Sequence, residues 1–231
     1  MTRTLVIGDI HGAYRALRQC LDRSDFDYEH NHLICLGDVC DGWPDTKACI
    51  SELLKIRNLT YILGNHDHWA LVWMKTGEIN SGWLMQGGDA TVNSYQSGVP
   101  KEHYQFLEDA LPYYLLDNRL FVHAGIDPLI PLEQQGLDTF LWDRSLALKA
   151  LELHENNVSK KLTHFDEVYI GHTPTSYNKP VNAGGIWLMD TGAGWVGVLS
   201  MIDINTKESF TSDPVPGLYP GETGRRKHSV F

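Results

Sequence analysis

Five times along this chain an apolar, β-prone run ends at a glycine or aromatic step and delivers Asp, His or Asn. The runs are VIGDIHG (6–12), ICLGDVCD (34–41), YILGNHD (61–67), LFVHAG (120–125) and VYIGHTP (168–174). In open α/β sheets, ligands gather beyond the carboxyl ends of the strands. Five polar strand ends can therefore converge on one point from distant parts of the sequence.

Asp9, His11, Asp38, Asn65, His123 and His172 then read as one metal site. Imidazole combined with carboxylate and amide oxygen suits divalent ions such as Mn²⁺, Fe²⁺ or Zn²⁺. No cysteine cluster offers a thiolate cage. Six ligands exceed what one catalytic ion takes while keeping an open position. Two ions sharing a bridging carboxylate, roughly 3.5 to 4 Å apart, use them economically. A lone histidine, by contrast, reads as a core or surface residue, and His30, His32, His103, His154, His164 and His228 are taken so. An Asp after a strand is also a common helix cap, so the weight lies on the ordered set of five.

GDIHG, GDVCDG, GNHD, HAG and GHTP, followed by DTGAGW, resemble the ordered signature of the calcineurin-like metallophosphoesterases. Within them the chain is most similar to the bacterial and phage branch of PPP-type phosphatases, which contains Ser/Thr protein phosphatases and symmetrical diadenosine tetraphosphatases. The resemblance covers about residues 4–200. It implies an α/β fold: a metallophosphoesterase-type β-sandwich of mixed sheets flanked by helices, with a helical cap insertion.

The same resemblance implies roles. Asp9 and His11 hold a first metal ion, Asp38 bridges, and Asn65, His123 and His172 hold a second. His66 matches the catalytic histidine, and Asp41 the carboxylate paired with it. A departing alkoxide needs a proton, and a carboxylate beside imidazole fixes its orientation and favours its charged form. His66 is accordingly the expected general acid. Asn65 is expected to contact substrate as well as metal. The implied reaction is in-line attack by a metal-bridging hydroxide, with no covalent intermediate. Cys40 lacks the backbone cradle and arginine of a cysteine phosphatase, so it is expected to pack or line the wall.

The chain departs from the pattern in three places. Where PPP-type protein phosphatases read GDxVDRG, Gly42 replaces a phosphate-gripping arginine. Leu63 replaces a second, just before GNH. Arg144, in LWDR, matches a third arginine and is expected to bind substrate phosphate; its bland alternative is a turn cap or surface pair. Losing two bidentate donors weakens the case for an efficient monoesterase, and GNHD in place of GNHE is seen in tetraphosphatase-like members.

A net charge of −10 over 231 residues disfavours nucleic acid as a standing partner, because phosphate backbones are bound through basic surfaces. No segment approaches the roughly 20 apolar residues of a membrane span. The start reads as a strand rather than a signal peptide. Cys20, Cys35, Cys40 and Cys49 have no metal-type or secretory spacing, so reduced thiols in a cytoplasmic protein are expected.

The N-terminal third reads as βαβαβ: a strand at 5–8, a helix over 13–21 with Tyr14, Leu17 and Leu21 on its apolar face, and a helix begun by Pro44 in which Ala48, Leu53, Leu54 and Ile56 support the pattern. GIWLMDTGAGWVGVLSMIDI (185–204) reads as two antiparallel strands around a glycine turn. One domain over 1–204 is expected, with a helical cap at 68–112 whose Trp69, Trp73 and Trp83 pack its core. Trp43 is expected to narrow the cleft or stack a nucleobase. Residues 205–231 read as an irregular extension, with GRRKH (224–228) a solvated tail.

Three functions fit. The first is a metal-dependent phosphatase hydrolysing phosphomonoesters of the Ser/Thr phosphoprotein type or small phosphoesters. The second is a hydrolase of dinucleoside polyphosphates (Ap4A-type) or phosphodiesters, which GNHD and the missing arginines favour. The third is a catalytically weak binding protein on the same fold, against which the intact His66 and ligand set count. Manganese is the expected ion, and the chain carries no signal for an oligomeric state.

Overall fold

The computed structural model describes residues 2–225. Its elements run β1 (Thr4–Ile7), α1 (Tyr14–Arg23), β2 (His32–Cys35), α2 (Thr46–Leu53), β3 (Asn58–Tyr61), α3 (Asn65–Thr76), α4 (Ser81–Trp83), a π turn (Leu84–Gly88), α5 (Asp89–Ser94), α6 (Lys101–Glu108), β4 (Tyr113–Leu116), β5 (Arg119–Val122), α7 (Leu137–Trp142), α8 (Ser145–Glu155), β6 (Glu167–Ile170), β7 (Val181–Ala183), β8 (Ile186–Leu188), β9 (Ser200–Asp203), β10 (Ser209–Thr211) and α9 (Val215–Leu218).

The strands form two mixed five-stranded sheets, ordered β10-β9-β1-β2-β3 and β4-β5-β6-β8-β7. β1, β2 and β3 are parallel, with Val6 opposite Ile34 and Ile34 opposite Thr60. This is the βαβαβ unit expected from the alternating pattern. β5, β6 and β8 are parallel in the second sheet. β1, β2, β5 and β6 each bury their last three residues, an apolar run, because both of their faces are covered. On the inner faces Val6, Ile34 and Ile202 meet Phe121, Tyr169 and Met189. Leu5, Ile7, Leu33 and Cys35 face α1 and α2, and Leu120, Val122, Val168 and Ile170 face α7 and α8. The result is a helix–sheet–sheet–helix sandwich, the expected fold class. Fully burying each such aliphatic side chain contributes roughly 1.5–3 kcal/mol.

Local signals explain the helices and their errors. α1 buries Ala16, Leu17, Cys20 and Leu21, the i, i+1, i+4, i+5 stripe of one helical face. α2 buries Cys49, Ile50 and Leu53, whereas Ala48 is only partly buried and Leu54 is exposed. Leu54 and Ile56 follow the helix rather than belonging to it. Residues 65–108 carry α3 to α6, helical as the pattern suggested.

Two expectations are corrected. β8 and β9 are not a hairpin: β8 pairs with β6 and β7, and β9 with β1 and β10. The DTGAGW segment crosses from one sheet to the other, a choice that local periodicity cannot reveal because both strands are apolar on both faces. Nor is the stretch after residue 204 irregular throughout. β10 extends the first sheet, and α9 lies beside α1, where the Leu218 carbonyl accepts from Arg15 and the Tyr219 hydroxyl bonds the Arg15 amide and Asp45.

Candidate metal centre

The loops after β1, β2, β3, β5 and β6 meet at one end of the sandwich. Two overlapping donor triads form there: Asp9, His11 and Asp38, and Asp38, His123 and His172, the ligand atoms of each lying within 4.8 Å of one another. Asp38 belongs to both. All five residues are buried.

The loops adopt strained geometry to achieve this. His11, Asp38, Asp41 and His172 all have left-handed backbone, with φ of 49°, 52°, 72° and 59°, a conformation that costs about 1–3 kcal/mol each in non-glycine residues and clusters at functional sites. The glycines of GNH and GHT have a steric reason. A Cβ on Gly64 would stand 2.1 Å from Asp38 Oδ1, and one on Gly171 the same distance from Asp9 Oδ1.

Backbone amides aim the carboxylates. The His66 amide donates to Asp38 Oδ1 at 2.9 Å, and the His172 amide to Asp9 Oδ2 at 2.9 Å. Backbone carbonyls aim the imidazoles: His11 Nδ1 bonds the Cys40 carbonyl at 3.0 Å, and His123 Nδ1 that of Leu36 at 2.7 Å. Each Nδ1 must carry the proton, which leaves Nε2 as an acceptor. His123 Nε2 then faces Asn65 Oδ1 at 2.9 Å and Asp38 Oδ2 at 3.5 Å, and His11 Nε2 lies 3.7 Å from Asp38 Oδ2.

Acceptors facing acceptors call for a cation. Among the described residues, Asp38 Oδ2 and His172 Nε2 are buried with no hydrogen-bond partner, a costly state that coordination relieves. Burial and the neighbouring charges of Asp190 and Asp38 push the Asp9 carboxyl up, while burial and Asp67 push Asp38 up. Burial, with neighbouring cations, pushes His11 and His172 down, and His123 to about 3. Buried carboxylates and neutral imidazoles are the donor set that divalent ions take.

Beside the triads, His66 Nδ1 lies 2.6 Å from Asp41 Oδ2, and the His66 ring meets that of His11 edge-on at 5.0 Å. Both members of the pair are buried. Asp41 also accepts from Trp83 Nε1 and Thr91 Oγ1, each at 2.7 Å. Burial pushes Asp41 up to about 8 despite these bonds, and pushes His66 down. Arg144 reaches the same end of the sandwich, where one Nη donates to the His172 carbonyl at 2.9 Å. Cys40 is buried, and its thiol is pushed up by burial and by Asp67.

Several residues here carry no sequence signal of their role. Asp67 joins two ligand loops, accepting from the amides of Asp38, Cys40 and Gly64 and from the Tyr61 hydroxyl. Asp190, in DTGAGW, is buried and accepts from the Gly192 amide. Trp83 holds Asp41 as well as packing against Trp73, while Trp69, packed against the same core, also meets the His66 ring edge-on and the Trp142 ring at a tilt. Trp43 neither narrows the cleft nor offers a stacking face: it is 1% exposed, stacked on Tyr219 and bonded to the Ala193 carbonyl. GRRKH is not simply a solvated tail, since Arg225 lies within the site, Nη1 3.4 Å from His11 Nε2. Arg226, Lys227 and His228 lie outside the described residues.

Residues 2–195 match the calcineurin-like phosphoesterase family. The chain belongs to that family. As a metallophosphoesterase it is a hydrolase of a metal-dependent kind, and the donor triads lie within the matched residues. Among similar proteins, Serine/threonine-protein phosphatase 1 of Salmonella typhimurium is 28% identical over 204 residues, 86% of this chain and 90% of that one. A symmetrical bis(5'-nucleosyl)-tetraphosphatase of Cellvibrio japonicus is 42% identical over 137 residues, 57% of this chain but only 48% of its own length. A crystal structure of a provisionally named diadenosine tetraphosphatase superposes with a TM-score of 0.71 at 19% identity, covering 92% of this chain and 93% of that one, a likeness of fold. Among the described residues no helix is long and apolar enough to cross a membrane.

Proposed function

We propose that this metallophosphoesterase hydrolyses phosphomonoesters, of the Ser/Thr phosphoprotein type or small phosphoesters. The observation that carries the reading is the buried His66–Asp41 pair, 2.6 Å between Nδ1 and Oδ2, set against two donor triads that share Asp38. A serine or threonine alkoxide is a poor leaving group, and a positioned proton donor is what such an ester needs.

Asp9, His11 and Asp38 would hold one divalent ion, and Asp38, Asn65, His123 and His172 a second. Manganese is the proposed ion. When bound, such a pair activates water and neutralises phosphoryl charge. The protein's own part is proton delivery and orientation. Asp41 Oδ2 accepts a hydrogen bond from the Nδ1–H of His66, which leaves Nε2 to carry the proton for the departing oxygen. Trp83 and Thr91 hold both oxygens of Asp41, so the imidazole cannot turn. Asn65, on the first turn of α3, would contact substrate as well as metal. Arg144 adds a guanidinium beside His172 for phosphate.

A second reading, hydrolysis of dinucleoside polyphosphates of the Ap4A type, is supported by the 42% identity to the tetraphosphatase. The deciding experiment uses metal-stripped protein with Mn²⁺ restored. It compares p-nitrophenyl phosphate, its bis ester, a phosphoserine peptide and diadenosine tetraphosphate. Preference for the monoesters supports the proposal, preference for the tetraphosphate supports the second reading, and no cleavage of any overturns both.

A further inference from the structure

We propose that Arg225 binds the substrate's phosphoryl group, a guanidinium delivered into the metal centre from the far end of the chain. This rests on the phosphomonoesterase reading above. Its first support is the anchoring of the residue. The Arg225 amide donates to the Gly194 carbonyl at 2.7 Å. Gly224 before it lies so close to Trp43 that a Cβ there would stand 2.8 Å from the indole ring. Trp43 is itself stacked on Tyr219, ring centroids 5.1 Å apart, so the chain from α9 to Arg225 is fastened to the first sheet's loops at successive points.

The second support is where the stem runs. A side chain begun at Gly42, φ +91°, would start 3.1 Å from Arg225 Cγ. One begun at Gly194 would start 3.1 Å from Arg225 Cδ and 2.4 Å from His11 Cδ2. The arginine stem thus fills room that two loop glycines leave open. A residue larger than glycine at 42 would have to displace it.

The third support is the state of the fork. Nη1 lies 3.4 Å from His11 Nε2 and Nη2 3.3 Å from Gln86 Oε1, both long contacts, while Cζ lies 4.8 Å over the Trp195 ring. Nε is buried with no hydrogen-bond partner among the described residues. A guanidinium offers five N–H donors in a plane matched to phosphate oxygens, and buried donors without acceptors are costly. An anion drawn to the cation site satisfies this fork, and His11 Nε2 is released from it when a metal takes that nitrogen. The positive charge of Arg225 bears on Asp9, Asp38, Asp41 and Asp190 together, which puts it at the electrostatic centre of the site.

The fork is suited to a terminal phosphate with oxygens to spare, and a diester offers fewer. Arg225 is therefore a determinant of monoester preference. The test compares wild type with Arg225→Met, which keeps the stem, and Arg225→Lys, which keeps a point charge. Calorimetric titration of inorganic phosphate into the Mn²⁺-loaded protein is run beside Mn²⁺ affinity, thermal unfolding, and kcat/KM for p-nitrophenyl phosphate and its bis ester. Expected for Arg225→Met are a loss of about tenfold or more in phosphate affinity, an unchanged Mn²⁺ affinity, and a larger fall for the monoester than for the diester. Arg225→Lys is expected to recover part of the loss. Equal falls for both esters with phosphate affinity intact would make the residue a packing element, and tighter Mn²⁺ binding with unchanged phosphate affinity would make it a plug. Either overturns the proposal. If wild type itself neither binds phosphate nor cleaves either ester, the phosphatase reading fails and this inference with it.

Discussion

The Trp83 indole donates to the same Asp41 oxygen that faces His66: Nε1 to Oδ2 is 2.7 Å, and His66 Nδ1 to Oδ2 is 2.6 Å. A residue 42 positions along the chain thus fixes the carboxylate that orients the proposed acid. Trp83→Phe keeps most of the ring and deletes the donor. Turnover on a phosphoserine peptide is expected to fall about ten- to a hundredfold, the range for removing a partner that orients a site residue, with Mn²⁺ affinity unchanged. Steady-state kinetics beside a metal titration checks this. Full activity would show that Asp41 needs no indole.

His66→Asn addresses the acid itself. The variant is expected to bind Mn²⁺ as wild type does and to lose about 10²- to 10⁴-fold in kcat on esters with alkoxide leaving groups. Loss should be smaller on p-nitrophenyl phosphate, whose leaving group departs without a proton. A plot of rate against leaving-group pKa for both proteins reads this directly. Parallel lines would remove His66 from the role.

How much of this was legible in the sequence follows from the physics of each feature. The sandwich and the five ligand-bearing strand ends are local patterns: an apolar run stopped by glycine reads the same in one dimension as in three. The β8–β9 connection misled because two strands buried on both faces carry no mark of which sheet each joins. Asp67 looked like a mere variant of a motif, although four donors converge on it. Trp43 sits beside a metal loop in sequence, yet its ring turns toward Tyr219, 176 residues later. Arg225 is 214 residues from His11, and no local spacing joins them. The family match covers residues 2–195, so that arginine lies beyond the matched stretch too.

The acid branch of stability is expected to depend on Glu52, on α2. Burial pushes its carboxyl up, but hydrogen bonds from Lys55, Tyr28 and Arg18 outweigh burial and hold it at about 2, against an ordinary 4.5. A depressed carboxyl stabilises the fold above its unfolded value and loses that contribution as pH falls from 4.5 toward 2. Since Arg18 and Lys55 are partly solvated, the contribution is about 1–2 kcal/mol after screening. Glu52→Gln should lower the melting temperature of metal-free protein at pH 7 by roughly 2–8 °C, with the gap closing by pH 2 to 3. Thermal melts across that range check it, and a gap independent of pH would assign the loss to packing.

Asp38 offers the sharpest separation of metal binding from folding. Its Oδ2 has no hydrogen-bond partner among the described residues, lies 3.7 Å from His11 Nε2 and 3.5 Å from His123 Nε2, and both nitrogens are acceptors because their Nδ1 protons are committed to carbonyls. In Asp38→Asn an amide NH₂ at that position donates to these nitrogens, while the amide oxygen keeps the bond from the His66 backbone. Metal-free Asp38→Asn is therefore expected to melt higher than metal-free wild type. With Mn²⁺ the order should reverse, because a ligand stabilises only by binding the folded state and the shared carboxylate is gone. Melting curves of both proteins with chelator and with excess Mn²⁺ measure the four states. If the variant melted lower without metal and still gained the full Mn²⁺ shift, Asp38 would be a structural residue, and the two triads would have no shared ligand.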